Sequence, residues 1–311
     1  MSQRVLFVGD INVDVIMGGL PSLPVVDKEI ACASFDVTLG SAAVISAASY
    51  ASLGGQCTFL GLAGRDDYGE FMVRGMQELG IETDRVLRTD KEKTGVTVNL
   101  IYGTTRTQVT YPGTISAFDG AEVKDSIFDG VRHVHFAGPY QQTRFRPHIT
   151  RLLKAAKVRG VTSSLDPQWD ASERWELMDE WLPLLTYLFV NEGEAGSIAK
   201  TQNLEEACRT LSSRTNRVLC KAGPDGSLTL DQGKFVRQGA FTVKVVDTTG
   251  AGDNFNAGFL YATLEKNLPL AEALRIGNAT GSRSCLFTGG VAARSSYADI
   301  QAFLQTATER K

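Results

Sequence analysis

Short apolar runs alternate with amphipathic stretches along most of the chain. Arg4–Val8 (RVLFV) is an almost wholly apolar run ending at Gly9-Asp10, the pattern of a strand buried on both faces. Residues 41–53 are rich in alanine and serine and stop at Gly54-Gly55, which predicts a helix with a glycine stop signal. Residues 57–62 again read as a strand, and 67–79 as a helix closed by Gly80. The alternation resumes as strand 133–137, helix 147–159, strands 161–165 and 188–190, helix 204–214 and strand 218–221. Strands separated by helices of about 10–15 residues predict an α/β fold: crossover units, a mostly parallel sheet and helices on both faces.

Two regions break that rhythm. Residues 30–38 and 95–111 carry Val, Thr, Ile and Tyr in partly alternating order with no helix between, and Gly103-Thr104-Thr105 marks a hairpin tip. They predict a small, mostly antiparallel sheet projecting from the α/β body. Its parts, at about 12–39 and 93–115, are inserted at different points, so the expectation is one domain over 1–311 with a subdomain. Asp90-Lys91-Glu92-Lys93 reads as a solvated turn leading into a strand.

Composition narrows the class. At 311 residues, 43% hydrophobic and 22% charged, the chain can bury a core, which excludes disorder, collagen and a disulfide miniprotein. A net charge of −3 gives no basic excess for nucleic acid or acidic lipid. The five cysteines are odd in number and spread out, with no C-x-x-C pair, so a cytoplasmic location is expected. No apolar run approaches the about 18 residues of a spanning helix, and no membrane partner is expected.

The most informative segment is 243–264. Val243-Lys244-Val245-Val246 reads as a strand, 247–253 (DTTGAGD) as a small-residue turn, and 254–264 as a helix. A glycine-rich turn opening a helix leaves unpaired N–H groups and a positive dipole end, a site for a phosphate oxyanion. Gly250 and Gly252 allow close backbone approach. Asp253 has two readings, a cap on the helix or a general base that takes a proton from an attacking hydroxyl. A P-loop signature is missing, and Gly250-Ala251-Gly252-Asp253-Asn254-Phe255 lacks the third glycine of a dinucleotide fingerprint.

The run 247–258 (DTTGAGDNFNAG) resembles the C-terminal signature of the ribokinase-like (PfkB) carbohydrate kinases. Further motifs resemble that family in order and spacing across essentially the whole chain. They are Gly9-Asp10-Ile11-Asn12-Val13-Asp14, Gly64-Arg65-Asp66-Asp67-Tyr68-Gly69, Asn191-Glu192-Gly193-Glu194 and Lys221-Ala222-Gly223-Pro224-Asp225-Gly226. The resemblance implies a Rossmann-like three-layer α/β/α core with a β-sheet lid, and transfer of the γ-phosphoryl of ATP to an alcohol of a small sugar. It makes Asp253 the base and the backbone of Gly250, Ala251 and Gly252 the anion hole. Asn12, Asp14, Gly40 and Ser41 fall at acceptor positions, and Lys221, Gly223, Gly226 and Asn278 at ATP positions. Asn191 and Glu194 match the motif that organises Mg²⁺ through water, although Asn191 taken alone also reads as a helix cap. Asp247, Thr249 and Gly289 lie where many relatives bind a monovalent cation such as K⁺. Arg106 and Tyr111-Pro112-Gly113 fall in the lid, where substrate contacts and hinges are common.

The chain departs from the family pattern on the acceptor side. The second of the paired glycines is Ser41, and the usual sugar-contacting Asn is Ile45. An aliphatic side chain neither donates to nor accepts from a hydroxyl. Two alternatives therefore stand beside a sugar kinase: a nucleoside kinase of the same fold, and a catalytically silent sensor. Asp166 and Gln168 follow a strand on the ligand side and read equally as site residues or loop caps. His133 and His135 share one strand face and read as packing residues, as do Trp169 and Trp175 over a loop. Exposed lid strand edges predict a homodimer.

Overall fold

Alternation within the first strand sets the layering. Val5 and Phe7 enter one apolar cluster, and Leu6 and Val8 enter the other, on the opposite side of the sheet. The computed structural model describes residues 3–103 and 105–310. Its strands are β1 (Arg4–Val8), β2 (Asn12–Gly18), β3 (Ser34–Leu39), β4 (Cys57–Leu60), β5 (Leu62–Gly64), β6 (Leu87–Thr89) and β7 (Gly95–Tyr102). They continue as β8 (Thr105–Tyr111), β9 (Val131–Ala137), β10 (Thr162–Asp166), β11 (Tyr187–Asn191), β12 (Val218–Lys221), β13 (Ser227–Asp231) and β14 (Lys234–Gln238). The helices are α1 (Ala42–Ser52), α2 (Asp67–Glu78), α3 (Thr114–Ala117), α4 (Ile149–Val158) and α5 (Met178–Trp181). After them come α6 (Glu192–Ala199), α7 (Leu204–Ser212), α8 (Ala251–Leu264), α9 (Leu270–Ser284) and α10 (Tyr297–Thr306).

The main sheet has the order β14-β13-β12-β11-β10-β9-β1-β4. From β12 to β4 every pairing is parallel, while β13 and β14 add an antiparallel edge. Helices α1, α2, α8, α9 and α10 supply residues to one core, and α4 to α7 to the other. The chain is thus an α/β/α sandwich of the ribokinase type, as expected. A second sheet, β3-β2-β7-β8, has two antiparallel pairings and one parallel. It forms the lid, while β5 and β6 make a separate parallel pair. Among the described residues no helix is long and apolar enough to cross a membrane.

Three readings need correction. Residues 243–246 are not a strand: among the described residues no strand pairs with them, and Val246 N–H donates to the Cys285 carbonyl. Val243 and Val245 instead wall a cavity, so their apolar character serves a ligand-sized space and not a ladder. The following helix begins at Ala251 and not at 254, because Gly250 adopts the left-handed conformation and starts it earlier. The stretch 30–38 forms a strand only from 34, which then runs on to 39, and Ala33 lies close against Gly19 just before the ladder begins. The hairpin tip expected at Gly103-Thr104-Thr105 is flanked by β7 and β8, with Thr104 outside the described residues.

His133 and His135 are fully buried and kept neutral. His133 bonds Thr162 and Ser164, and His135 shares the same Ser164 hydroxyl. Burial pushes both imidazoles down, His135 to about 4. They are packing residues, as expected. Trp175 is buried and meets the half-exposed Trp169 edge to face at 5.7 Å between ring centroids.

Candidate active site

The parallel strands deliver their chemistry at one edge. Asp10 follows β1, Asp166 ends β10, Asn191 ends β11 and Lys221 ends β12. The connections run one way from β1 to β4 and the other way from β9 to β12, which opens a crevice at the strand carboxyl ends. Lys221 Nζ meets Asp166 Oδ2 at 2.6 Å, and Asn256 Nδ2 donates to the same oxygen at 2.7 Å. Burial works to raise the completely buried Asp166, but Lys221 and these bonds outweigh it and hold the carboxyl below its ordinary value. Burial works to lower Lys221, and the charges of Asp166 and Glu194 raise it instead.

Asp253 sits in the first turn of α8 but does not cap it. Gly250 is the N-cap, without a side-chain bond, and Asp253 Oδ1 accepts from Gln168 Nε2 at 3.3 Å. The carboxylate is turned towards the Asp166 cluster and is only 7% exposed. Burial first, and then the charge of Asp166, push it up to about 8 against the pull of Lys221. Glu194 is pushed up to about 7 by burial and Asp166. Three carboxylates therefore share one half-buried lysine.

The turn ahead of α8 is pinned from both sides. Asn254 Nδ2 donates to the carbonyls of Gly250 (2.9 Å) and Gly290 (3.0 Å). Asp247 accepts from Thr249 N–H and hydroxyl and from Gly289 N–H, so Asp247, Thr249 and Gly289 do meet. Gly250 has φ +73°, and a Cβ there would lie 2.9 Å from both Gly290 Cα and Ile45 Cγ2. A Cβ on Gly252 would fall 3.2 Å from Lys221 Nζ. Glycine is needed at 250, while a side chain at 252 would press on the Lys221 ammonium.

Asn191 and Glu194 form a reciprocal capping box at the head of α6. Asn191 N–H and Nδ2 each donate to a Glu194 oxygen, and Glu194 N–H donates back to Asn191 Oδ1. The cap and the acidic site are one arrangement. A buried acid forced upward beside two other carboxylates suits a hard cation, and each oxygen keeps a lone pair for its water.

Across the cleft, Asn12 Nδ2 donates to Asp14 Oδ1 and Thr97 Oγ1 at 3.3 and 3.2 Å. A Cβ on Gly40 would fall within 2.8 Å of both side chains, so only glycine leaves them room. Burial raises Asp14. Ser41 joins the lid to α1 at φ +75°, ψ 129°, a conformation that favours glycine, and donates to Asp10 Oδ1 at 3.0 Å. Burial pushes Asp10 up to about 6. Ile45 is buried against Gly250 and Gly290.

Beside the turn lies a cavity of about 400 Å³ lined by Lys221, Gly223, Gly226, Ala251, Gly252 and Asn278. Asn278 is part of the wall, but its amide donates to the carbonyls of Gln238 and Gly239 and so holds the loop in place. Sequence reasoning left Asp166 and Gln168 open; both join the cluster. It passed over Asn256, although that residue lies in the signature run three residues, about one helical turn, after Asp253.

An open α/β crevice, a glycine turn at a helix head and a buried acid–lysine cluster together define the class: an enzyme that handles phosphate. Residues 2–295 match the description pfkB family carbohydrate kinase, and the chain belongs to that family. It is a phosphotransferase with an alcohol as acceptor group. The ATP-dependent ribose-1-phosphate kinase of Halopiger xanaduensis is 29% identical over 281 residues, 90% of each chain. Arabidopsis thaliana ribokinase, solved with ribose and ATP, superposes with a TM-score of 0.83 at 24% identity, covering 98% of this chain and 99% of that one. The nucleoside kinase of Methanocaldococcus jannaschii superposes with a TM-score of 0.80 at 21% identity, covering 98% and 99%.

Proposed function

We propose that the chain transfers the γ-phosphoryl group of ATP to a hydroxyl of a small sugar or sugar derivative. Asp253 is the general base, and the N–H groups of Gly250, Ala251 and Gly252 hold the transferring phosphate. The orientation of Asp253 carries this reading, because its carboxylate bonds Gln168 and caps none of the helix-head N–H groups, although Ala251 N–H donates to the Thr248 carbonyl here and must turn from it to meet an anion. Asn12 and Asp14 bind acceptor hydroxyls, with Gly40 and Ser41 shaping their edge. Lys221, Gly223, Gly226 and Asn278 line the nucleotide cavity. Asn191 and Glu194 hold Mg²⁺ through water, and that ion supplies charge neutralisation at the phosphates. For K⁺, the supporting observation is that Asp247 ties two backbone turns, at 249 and 289, to one carboxylate.

Asp253→Asn tests the base. Turnover is expected to fall about 10²–10⁴-fold while calorimetry shows ATP still binding. Unchanged turnover sinks the assignment. With the carboxyl pushed up to about 8, the base is protonated below that pH, so wild-type activity climbs as pH rises towards about 8. The variant loses that limb.

A second reading, a nucleoside acceptor, is favoured by Ile45, an aliphatic residue where the family pattern has a sugar-contacting Asn. Comparing D-ribose, ribose 1-phosphate, 2-dehydro-3-deoxygluconate and adenosine as acceptors with ATP and Mg²⁺ decides between the two. The five free thiols support a cytoplasmic location. Lid-to-lid pairing is supported by exposed Phe35, Val109 and Tyr111 on one lid face, and a monomer mass by light scattering at micromolar concentration would remove it.

A further inference from the structure

The cleft has more negative groups than it has partners for. Asp10, Asp166, Glu194 and Asp253 are all buried at the strand ends, and Lys221 is already committed to Asp166. A nucleoside triphosphate adds further negative charge. The lid carries an uncommitted cation. Arg106 lies on β8 opposite Ile101 and shares the lid face of Gln108 and Thr110, the face that holds Asp14 and Thr97. Its Nη1 donates to Thr249 Oγ1 at 2.7 Å, directly beside Gly250. The Thr249 hydroxyl proton goes to Asp247, so Arg106 rests on a neutral lone pair. Among the described residues no carboxylate lies within ion-pair distance of Arg106, although Asp14 and Asp247 feel its charge. One of its five N–H donors is used in this bond.

We propose that Arg106 is a further catalytic residue, which places its guanidinium on the transferring phosphoryl group when the lid lies over the turn. This rests on the kinase reading above. In the step, the acceptor oxygen forms a bond to γ-phosphorus and its proton goes to Asp253. The β,γ-bridging P–O bond breaks, and its electron pair leaves with ADP. Charge on the equatorial oxygens is met by the amides of 250–252 from one side and by the planar N–H fork of Arg106 from the other. Arg106 also couples chemistry to closure, because it crosses from lid to core in a single side chain.

The test uses the full chain with MgADP alone, and with MgADP plus aluminium fluoride as a stand-in for the transferring group, titrated by calorimetry. Arg106→Ala is expected to weaken the aluminium fluoride complex about 10²-fold and leave MgADP binding unchanged. Arg106→Lys, which keeps the charge but loses the fork, recovers part of the loss. With water as acceptor, Arg106→Ala slows ADP formation, and added guanidinium ion restores part of the rate. Equal weakening of both complexes assigns Arg106 a structural role in the lid, and no weakening leaves the phosphoryl group to the backbone; either overturns the proposal. A wild-type protein that gains nothing from aluminium fluoride while binding MgADP overturns the kinase reading along with it.

Discussion

The turn at 247–253 and the lid face opposite it are built by different means. The turn is made of backbone: a Cβ would collide at 250 and press on Lys221 at 252, and Asn254 and Asp247 tie the turn down. The lid face is made of side chains: Asn12 bonds Asp14 and the distant Thr97, and Arg106 reaches across to Thr249. Backbone donors bind any phosphate that fits, whereas side chains discriminate among acceptors. The departures from the family pattern, Ser41 and Ile45, both fall on the acceptor side. The two regions are thus built separately, and they touch where Ile45 packs on Gly250.

That separation can be broken at either end. Gly250→Ala has the larger expected effect, since the new Cβ must displace Gly290 and Ile45 and would misalign the amide cup. We expect turnover, followed by ADP release, to fall about 10²–10³-fold with secondary structure intact by circular dichroism. Near-normal turnover would place the chemistry elsewhere. Ile45→Asn sharpens the comparison from the other side with a smaller effect. It restores a hydroxyl partner, so the KM for D-ribose should drop about tenfold with the KM for ATP unmoved. A matching shift in the ATP value would show that the two halves are not independent.

Local features were legible in the sequence and long-range ones were not. The glycine turn announces itself because the residues of the proposed anion site are neighbours in the chain. The Asp166–Lys221 pair spans 55 residues and the Arg106–Thr249 bond 143, so neither could be read from spacing. The valines at 243–246 misled for a related reason. β-branched residues satisfy strand propensity, but a strand also needs a partner, and among the described residues none pairs with this segment. The cap reading of Asn191 and its site reading both hold, because one capping box also positions Glu194.

Ser41 occupies the joint between β3 and α1 in a backbone state that costs a side-chain-bearing residue about 1–3 kcal/mol. Its hydroxyl donates to Asp10, so the residue that carries the unfavourable backbone also ties the head of α1 to the end of β1. A glycine at this position would relieve the backbone cost and forfeit that tie in one change, which makes Ser41 a trade of ease for anchorage.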